Sequence, residues 1–188
     1  MEPATERQSA AFSGLLAGLQ AGMLGTGWML VWLGVTALYQ NRSFWAAGNL
    51  MASVFYGSDS IRTGFGAMTI SGIALYLLVY SSLGAVFALV MRDRVSRGRL
   101  MLLALALSVS WYYLAFRLVG RSGLPLVFLL HPERPMLFGH VIYGTFLGYY
   151  SATLMRQPPA SPESPTSDDE PPPTAVEQAP GDISHSPM

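Results

Sequence analysis

Four long runs of uncharged, mostly apolar residues alternate with short charged segments along the chain. These runs lie between arginines, are 34, 29, 17 and 21 residues long, and occupy 8–41, 63–91, 100–116 and 135–155. A bilayer core about 30 Å thick is crossed by roughly 20 apolar residues of helix. The pattern therefore predicts an all-α protein, an integral membrane four-helix bundle with spans at about 12–39, 66–91, 100–119 and 135–155.

The composition favours the same class of protein. Hydrophobic residues make up 51% of the chain and charged residues 12%, whereas about a quarter of the residues of a soluble domain are charged. The first apolar run exceeds the core of a signal peptide, which has about 7 to 15 residues, and Glu2 and Glu6 make its leader acidic where a secretory leader is basic. We therefore expect a retained span, preceded by a short cytoplasmic segment at 1–10.

Positive charge is concentrated in the short connection between the second and third spans. All eleven basic residues are arginines, and four of them lie within eight positions there. These four are Arg92, Arg94, Arg97 and Arg99. The positive-inside rule places such a loop in the cytoplasm, and four spans then place both termini of the chain on the same side. The cluster also suits anionic lipid headgroups.

Two further segments are not expected to span the bilayer. Residues 44–56 combine an apolar side with Asn49 and Ser53, and about a dozen residues are too few to cross, so they predict a helix lying in the outer interface. Residues 157–188 hold nine of the 13 prolines, six acidic residues and no basic one. Such a composition predicts a disordered tail, which leaves 11–156 as the transmembrane domain.

Small residues recur at intervals of four along three of the predicted spans. Because the hydrophobic effect does not drive helices together in lipid, close backbone approach at small residues is a main source of association there. The predicted packing positions are Gly14, Gly18, Gly22, Gly72, Gly84, Gly144 and Gly148. Tyr76 and Tyr80 share a row with Gly72 and Gly84. These faces serve either the bundle itself or, on the Gly14 row, a second copy or another membrane protein.

His140 is the strongest polar candidate because it lies inside the fourth span, where an ionisable residue indicates function by default. Three hypotheses stay open. His140 forms a structural hydrogen bond with Gln20, a serine such as Ser81 or Ser82, or a carbonyl group; or it belongs to a proton or ion path; or it binds haem or a metal. In the second hypothesis, Glu133 and Arg117 would lie at the outer mouth of the proton or ion path. In the third, His131 would be the second haem ligand.

Several kinds of chemistry lack their residues in this sequence. The chain contains no cysteine, which excludes disulfides, thiolate nucleophiles and protein thiolate ligands for zinc or iron–sulfur clusters. No nucleophile and base are arranged as in known catalytic motifs, and no glycine-rich phosphate loop occurs. The arginines are too confined for a nucleic-acid surface. The sequence thus predicts no enzyme, no resident cofactor or metal, and no nucleic-acid partner.

Two short stretches carry a resemblance to a known family. Residues 133–144, which include Phe138, Gly139 and His140, resemble the Phe-Gly-His stretch near the last span of YagU-like bacterial inner-membrane proteins. Residues 14–18 are similar to the first span of the same group. The resemblance implies a four-span protein of the bacterial inner membrane. It implies no catalytic role, because the family has no established reaction.

The function expected from the sequence is that of a non-enzymatic integral membrane protein. It would act as a packing, assembly or accessory subunit through its small-residue helix faces, with the lipid bilayer and a second copy or another membrane protein as partners. One alternative is a permeation unit for protons or small solutes, formed by an oligomer and centred on His140. A third is a haem-binding membrane protein.

Overall fold

The computed structural model describes residues 4–91, 96–115 and 132–154, and within them the chain is all-α, as predicted. Five helices follow in the order α1 (Ala4–Tyr39), α2 (Ala46–Tyr56), α3 (Ala67–Val90), α4 (Arg97–Leu114) and α5 (Glu133–Leu154). A short 3-10 helix, Gly57–Arg62, joins α2 to α3. The predicted tail at 157–188 lies outside the described residues, and so do Arg92, Arg94, Arg117 and His131.

The end of α1 is set by Asn41. This residue has a φ of 54°, a left-handed conformation that asparagine tolerates better than most side chains. The amide of Arg42 donates to the carbonyl of Ala37 at 2.9 Å, and the amide of Asn41 donates to the carbonyl of Leu38 at 3.0 Å. This pair of bonds is the Schellman motif, which satisfies the last carbonyl groups of a helix. The chain therefore turns sharply after Tyr39 and enters α2.

The helices pack in a defined order around α1. α1 contacts α3 on one side and α5 on the other, α4 packs on α5, and α2 packs mainly on α3. The apolar core includes Met29 of α1, Tyr76 of α3, and Tyr143 and Leu147 of α5, all with 1% exposure or less. The long helices therefore share one core, and α5 lies between α1 and α4.

Glycine brings α1 and α3 into backbone contact. A Cβ atom added to Gly18 would lie 2.6 Å from the carbonyl oxygen of Gly84, and one added to Gly84 would lie 2.5 Å from the carbonyl oxygen of Gly18. A Cβ atom at Gly22 would lie 2.8 Å from the Cα atom of Ser81. Any side chain at these positions would force the helices apart, so the row of small residues on α1 serves α3 of the same chain.

The other small-residue rows are also used within the chain. A Cβ atom at Gly144 would lie 2.9 Å from the Cα atom of Leu105, and one at Gly148 would lie 2.8 Å from the Cα atom of Met101, both on α4. Gly72 of α3 lies directly against the carbonyl group of Gly48 in α2. Six of the seven predicted packing glycines thus face helices of their own chain. Gly14 differs, since nothing described lies within 4 Å of its added Cβ atom.

Two helical segments of the described chain are long and apolar enough to cross a membrane, Ala11–Tyr39 and Ala67–Val90. Fewer than half of the residues in the apolar window of each are buried in the fold. The predicted third and fourth spans correspond in position to α4 and α5. Over their described residues, neither α4 nor α5 has a mean hydropathy high enough to be recognised as a membrane-crossing helix. The reason is that α4 begins with Arg97 and Arg99, and α5 is rich in glycine, tyrosine and hydroxyl residues.

A buried polar cluster fixes the corner between α2 and α3. Asn49 is 2% exposed; its side-chain nitrogen donates to the carbonyl of Thr63 at 2.7 Å, and its side-chain oxygen accepts from the Thr69 hydroxyl at 2.5 Å. The amide of Gly66 donates to the same hydroxyl oxygen at 3.2 Å. Thr69 therefore caps the start of α3 and links it to α2.

Asn49→Ala is expected to lower the free energy of unfolding by about 2 kcal/mol, because it leaves the Thr63 carbonyl without this donor and the buried Thr69 hydroxyl without this acceptor. Unfolding in mixed detergent micelles, followed by circular dichroism, measures the change. Gln40→Ala removes an exposed amide instead and should leave stability within about 0.5 kcal/mol. Equal effects of the two substitutions would contradict the role given to Asn49.

Candidate functional site

His140 lies where α3, α4 and α5 meet, with 1% of its surface exposed. Its Nε2 atom lies 2.7 Å from the hydroxyl oxygen of Tyr80 in α3, and its Nδ1 atom lies 2.9 Å from the carbonyl oxygen of Met136 one turn earlier in α5. Both ring nitrogens are therefore held by protein groups.

The chemistry of these partners fixes the tautomer of His140. A carbonyl oxygen only accepts, so Nδ1 must carry the proton that it donates to Met136. In the neutral ring Nε2 is then the acceptor, and the Tyr80 hydroxyl must donate to it. The neutral histidine has both of its hydrogen-bonding positions filled, and the tyrosine hydroxyl uses its single proton. The pair is chemically complete without a ligand.

Further hydrogen bonds tie the backbone near His140 to the neighbouring helices. The Ser108 hydroxyl of α4 donates to the carbonyl of His140 at 2.6 Å. The Tyr143 hydroxyl of α5 donates to the carbonyl of Tyr80 at 2.6 Å. The two contacts between α3 and α5 therefore run in both directions, one through the Tyr80 side chain and one through its backbone. Together the four residues form a cluster, which we call the His140 clamp, joining α3, α4 and α5.

Aromatic rings enclose the imidazole of His140. The ring centroids of Tyr80 and Tyr112 lie 5.5 and 5.2 Å from that of His140, with interplanar angles of 61° and 62°. Tyr143 meets Tyr80 edge-on at 5.0 Å. Edge-to-face packing of this kind is favourable beyond the area that it buries. The imidazole is therefore packed against aromatic rings from α3 and α4.

The structure separates most of the predicted polar residues from His140. Gln20 is exposed on α1, and Ser82 is exposed on α3. Ser81 donates to the carbonyl of Leu77 in its own helix. Glu133 contributes only its backbone carbonyl here, which accepts from the Tyr112 hydroxyl of α4 at 3.4 Å. None of these four side chains contacts the imidazole among the described hydrogen bonds, and Arg117 and His131 fall outside the described residues.

Of the three hypotheses for His140, this geometry favours the structural hydrogen bond, with Tyr80 and Met136 as partners. A haem iron or metal ion bound at Nε2 would have to displace the Tyr80 hydroxyl. Within 4–91, 96–115 and 132–154 no group of three or more histidine, aspartate or glutamate side chains is arranged to hold a metal ion. The clamp links α3, α4 and α5 through hydrogen bonds.

Sequence reasoning missed Tyr80, Ser108 and Tyr143 as partners of His140. A signal for Tyr80 was present, because it lies on the same row of α3 as Gly72 and Gly84, which predicts that it points toward a packed helix. A tyrosine hydroxyl that becomes buried usually needs a hydrogen-bond partner, and His140 offers one. Ser108 and Tyr143 have no comparable signal, since α4 also carries Ser110 and α5 also carries Tyr149 and Tyr150.

No protein-family model matches this chain, and no curated protein or solved structure is significantly similar to it. The described residues define an all-α protein with two helices able to cross a membrane and a buried, fully hydrogen-bonded histidine.

Proposed function

We propose that this chain is a non-enzymatic four-span protein of the bacterial inner membrane that acts as an assembly or accessory subunit. The observation that carries the proposal is the outer surface of the four long helices. Large apolar side chains point outward on all of them: Leu16, Trp28, Val31, Ile70, Leu78, Val86, Leu102, Leu103, Phe138 and others, each at least 39% exposed. Soluble monomers rarely expose contiguous apolar patches of this extent. A bilayer covers such a surface.

The interior supports the same proposal because it encloses several polar side chains of the long helices. Thr26, Ser108, His140 and Ser151 are buried on the long helices, and Thr26 donates to the carbonyl of Gly22 in its own helix at 2.6 Å. Hydrocarbon offers no hydrogen bonds, so polar side chains in spans turn toward the bundle and toward one another. A largely apolar outer surface, with polar side chains such as those of Thr26, Ser108 and His140 buried among the apolar core residues, is the distribution expected of a protein in lipid.

The aromatic residues near α2 support an interfacial position for that helix. Trp45 and Phe65 pack at a centroid distance of 4.6 Å, and Phe55 and Tyr56 are exposed at the other end of α2. Aromatic side chains are enriched at the headgroup level of both membrane surfaces. We therefore place α2 in the outer interface, with α3 entering the bilayer after Gly66.

The His140 clamp supports the proposed non-enzymatic role. Its titratable side chain has both nitrogens occupied by Tyr80 and Met136, whereas a general base must reach a substrate proton. The small-residue rows of α3 and α5 already contact other helices of the same chain, and so do Gly18 and Gly22 of α1. Assembly with another subunit therefore has to use a different surface from the one that the glycine spacing alone favours.

Cysteine labelling tests the proposed topology directly, because the natural chain has no cysteine. Ser58→Cys lies in the 3-10 helix after α2, Ser96→Cys lies just before α4, and both positions are exposed. We expect a membrane-impermeant maleimide to label Ser58→Cys in intact spheroplasts and Ser96→Cys only after the membrane is opened. The cysteine-free chain is the matched control for background labelling.

Two results would contradict the proposal. If both cysteines were labelled equally in intact spheroplasts, or if the order were reversed, the predicted orientation would be wrong. If the chain were released from membranes by alkaline carbonate, it would not be an integral protein. The first result leaves the membrane location standing, and the second removes it.

A further inference from the structure

Gln20 is a polar residue on the apolar outer face of α1. It is exposed, and its neighbours on that face, Leu16, Met23 and Leu24, are 48%, 51% and 40% exposed. The apolar segment Ala11–Tyr39 has 29 residues, and about 20 of them are enough to cross the hydrocarbon core. Every 20-residue window within this segment contains Gln20. If α1 spans the membrane, as the proposed function requires, Gln20 is therefore part of the segment that crosses it.

The amide of Gln20 has no hydrogen-bond partner among the described residues. Exposed hydroxyl groups on the other spans are satisfied locally: Thr145 donates to the carbonyl of Val141 at 2.8 Å, and Thr153 donates to that of Tyr149 at 3.0 Å. A glutamine amide offers two donors and an acceptor oxygen, which is more than the backbone of its own helix can satisfy. In lipid such a group demands a partner from outside the protomer.

The exposed face around Gln20 has the spacing of a helix-pairing seam. Ser13, Leu16, Gln20, Met23 and Gly27 follow at alternating intervals of three and four, and all five are exposed. Nothing described lies within 4 Å of a Cβ atom added to Gly27, so a second helix has room to approach there. This is the a and d pattern of a left-handed helix pair, in which one polar a residue fixes the register and the number of strands.

We propose that two copies of this chain associate through this seam, with the two Gln20 side chains hydrogen-bonded to each other. The proposal rests on the proposed function, since it requires the chain to span the membrane in one orientation. Both copies then run parallel, and a two-fold axis along the membrane normal brings each residue of the seam opposite its own counterpart. A glutamine amide is self-complementary, because the oxygen of each accepts from the nitrogen of the other.

Disulfide cross-linking in native membranes tests the seam. Met23→Cys places a thiol on it, and Leu78→Cys, on α3 at 64% exposure, places one on a different outer face. Under mild oxidation we expect Met23→Cys to give a covalent dimer and Leu78→Cys to give little. Adding Gln20→Leu to Met23→Cys should slow dimer formation about 10-fold, since interhelical hydrogen bonds contribute modestly but measurably to association in membranes.

Each outcome bears on the proposal. Equal cross-linking at positions 23 and 78, or an undiminished rate with Gln20→Leu, would overturn it. A cross-linked product whose mass is not twice that of the chain would show that the partner on this seam is a different protein, and would overturn the proposed dimer. The same membranes are extracted with alkaline carbonate: a chain that stays in the pellet without forming the dimer contradicts this inference alone, whereas a released chain contradicts the proposed function.

Discussion

Gly18→Ala is expected to lower the free energy of unfolding by about 3 kcal/mol, at the upper end of the cost of overpacking a core. The added Cβ atom would lie 2.5 Å from the Cβ atom of Ala88, 2.6 Å from the carbonyl oxygen of Gly84 and 2.9 Å from the Cα atom of Ala85. Two of these three atoms belong to the backbone of α3 and cannot rotate away. The two helices must therefore separate at this row.

The matched control is Gly14→Ala, four residues earlier in the same helix. It adds the same methyl group where nothing described lies within 4 Å, so it should be neutral or slightly stabilising, since alanine is the better helix former. Unfolding of both variants in mixed detergent micelles measures the difference. A Gly18 variant as stable as the Gly14 variant would show that α1 and α3 do not meet at this row.

His140→Ala is expected to destabilise the fold by about 3 to 4 kcal/mol. It removes a ring that fills the junction of three helices, which costs a few kcal/mol on the scale of large-to-small core substitutions. It also leaves the Tyr80 hydroxyl without its acceptor, for about 1 to 3 kcal/mol before the site relaxes. The two costs overlap, because a water molecule entering the cavity can replace the lost acceptor.

A double-mutant cycle with Tyr80→Phe isolates the hydrogen bond of the clamp. We expect a coupling of about 1 kcal/mol between positions 80 and 140, measured by the same unfolding titration. Tyr149→Phe removes a hydroxyl from a ring that is 46% exposed and serves as the control, with an expected change below about 0.5 kcal/mol. A coupling of zero would mean that Tyr80 and His140 stabilise the fold independently.

The all-α class was predictable because lipid-length apolar runs leave few structures other than helices. The start of α1 was harder to place. The apolar run begins near Phe12, yet the helix begins at Ala4, because Glu6, Arg7 and Gln8 are good helix formers. The apolar pattern marks the first residue that can enter a membrane, whereas backbone hydrogen bonding marks the first residue of the helix. In α1 these two positions differ by about two helical turns.

The neighbours of each helix face were not predictable from spacing alone. The glycine row of α1 fits a partner on any helix, and only the structure assigns it to α3. Gln20 was one of the alternative hydrogen-bond partners considered for His140, and this alternative conflicts with that row, since two residues of helix correspond to about 200° of rotation. With Gly18 and Gly22 facing the interior, Gln20 between them must face outward. Helical geometry relates the direction of Gln20 to that of the two glycines, but it predicts an outward direction only once the inner face of α1 is known.

The sequence predicted the central residue of the candidate site, His140, but not the residues that contact it. A lone histidine inside an apolar span is conspicuous in any sequence. Its partners come from positions 32 and 60 residues away, and a chain with nine tyrosines offers many equivalent donors. Long-range pairing depends on how the helices cross, which periodicity does not encode.

The central position of α5 has a consequence for biogenesis. α5 leaves the ribosome after the other four helices, yet it supplies Gly144 and Gly148 to α4 and His140 to α3. Until then α4, with its two arginines near one end, has no main packing partner, because it packs chiefly on α5. A chain that ends before residue 133 therefore retains the partners of α1, α2 and α3 but leaves α4 without its main packing partner.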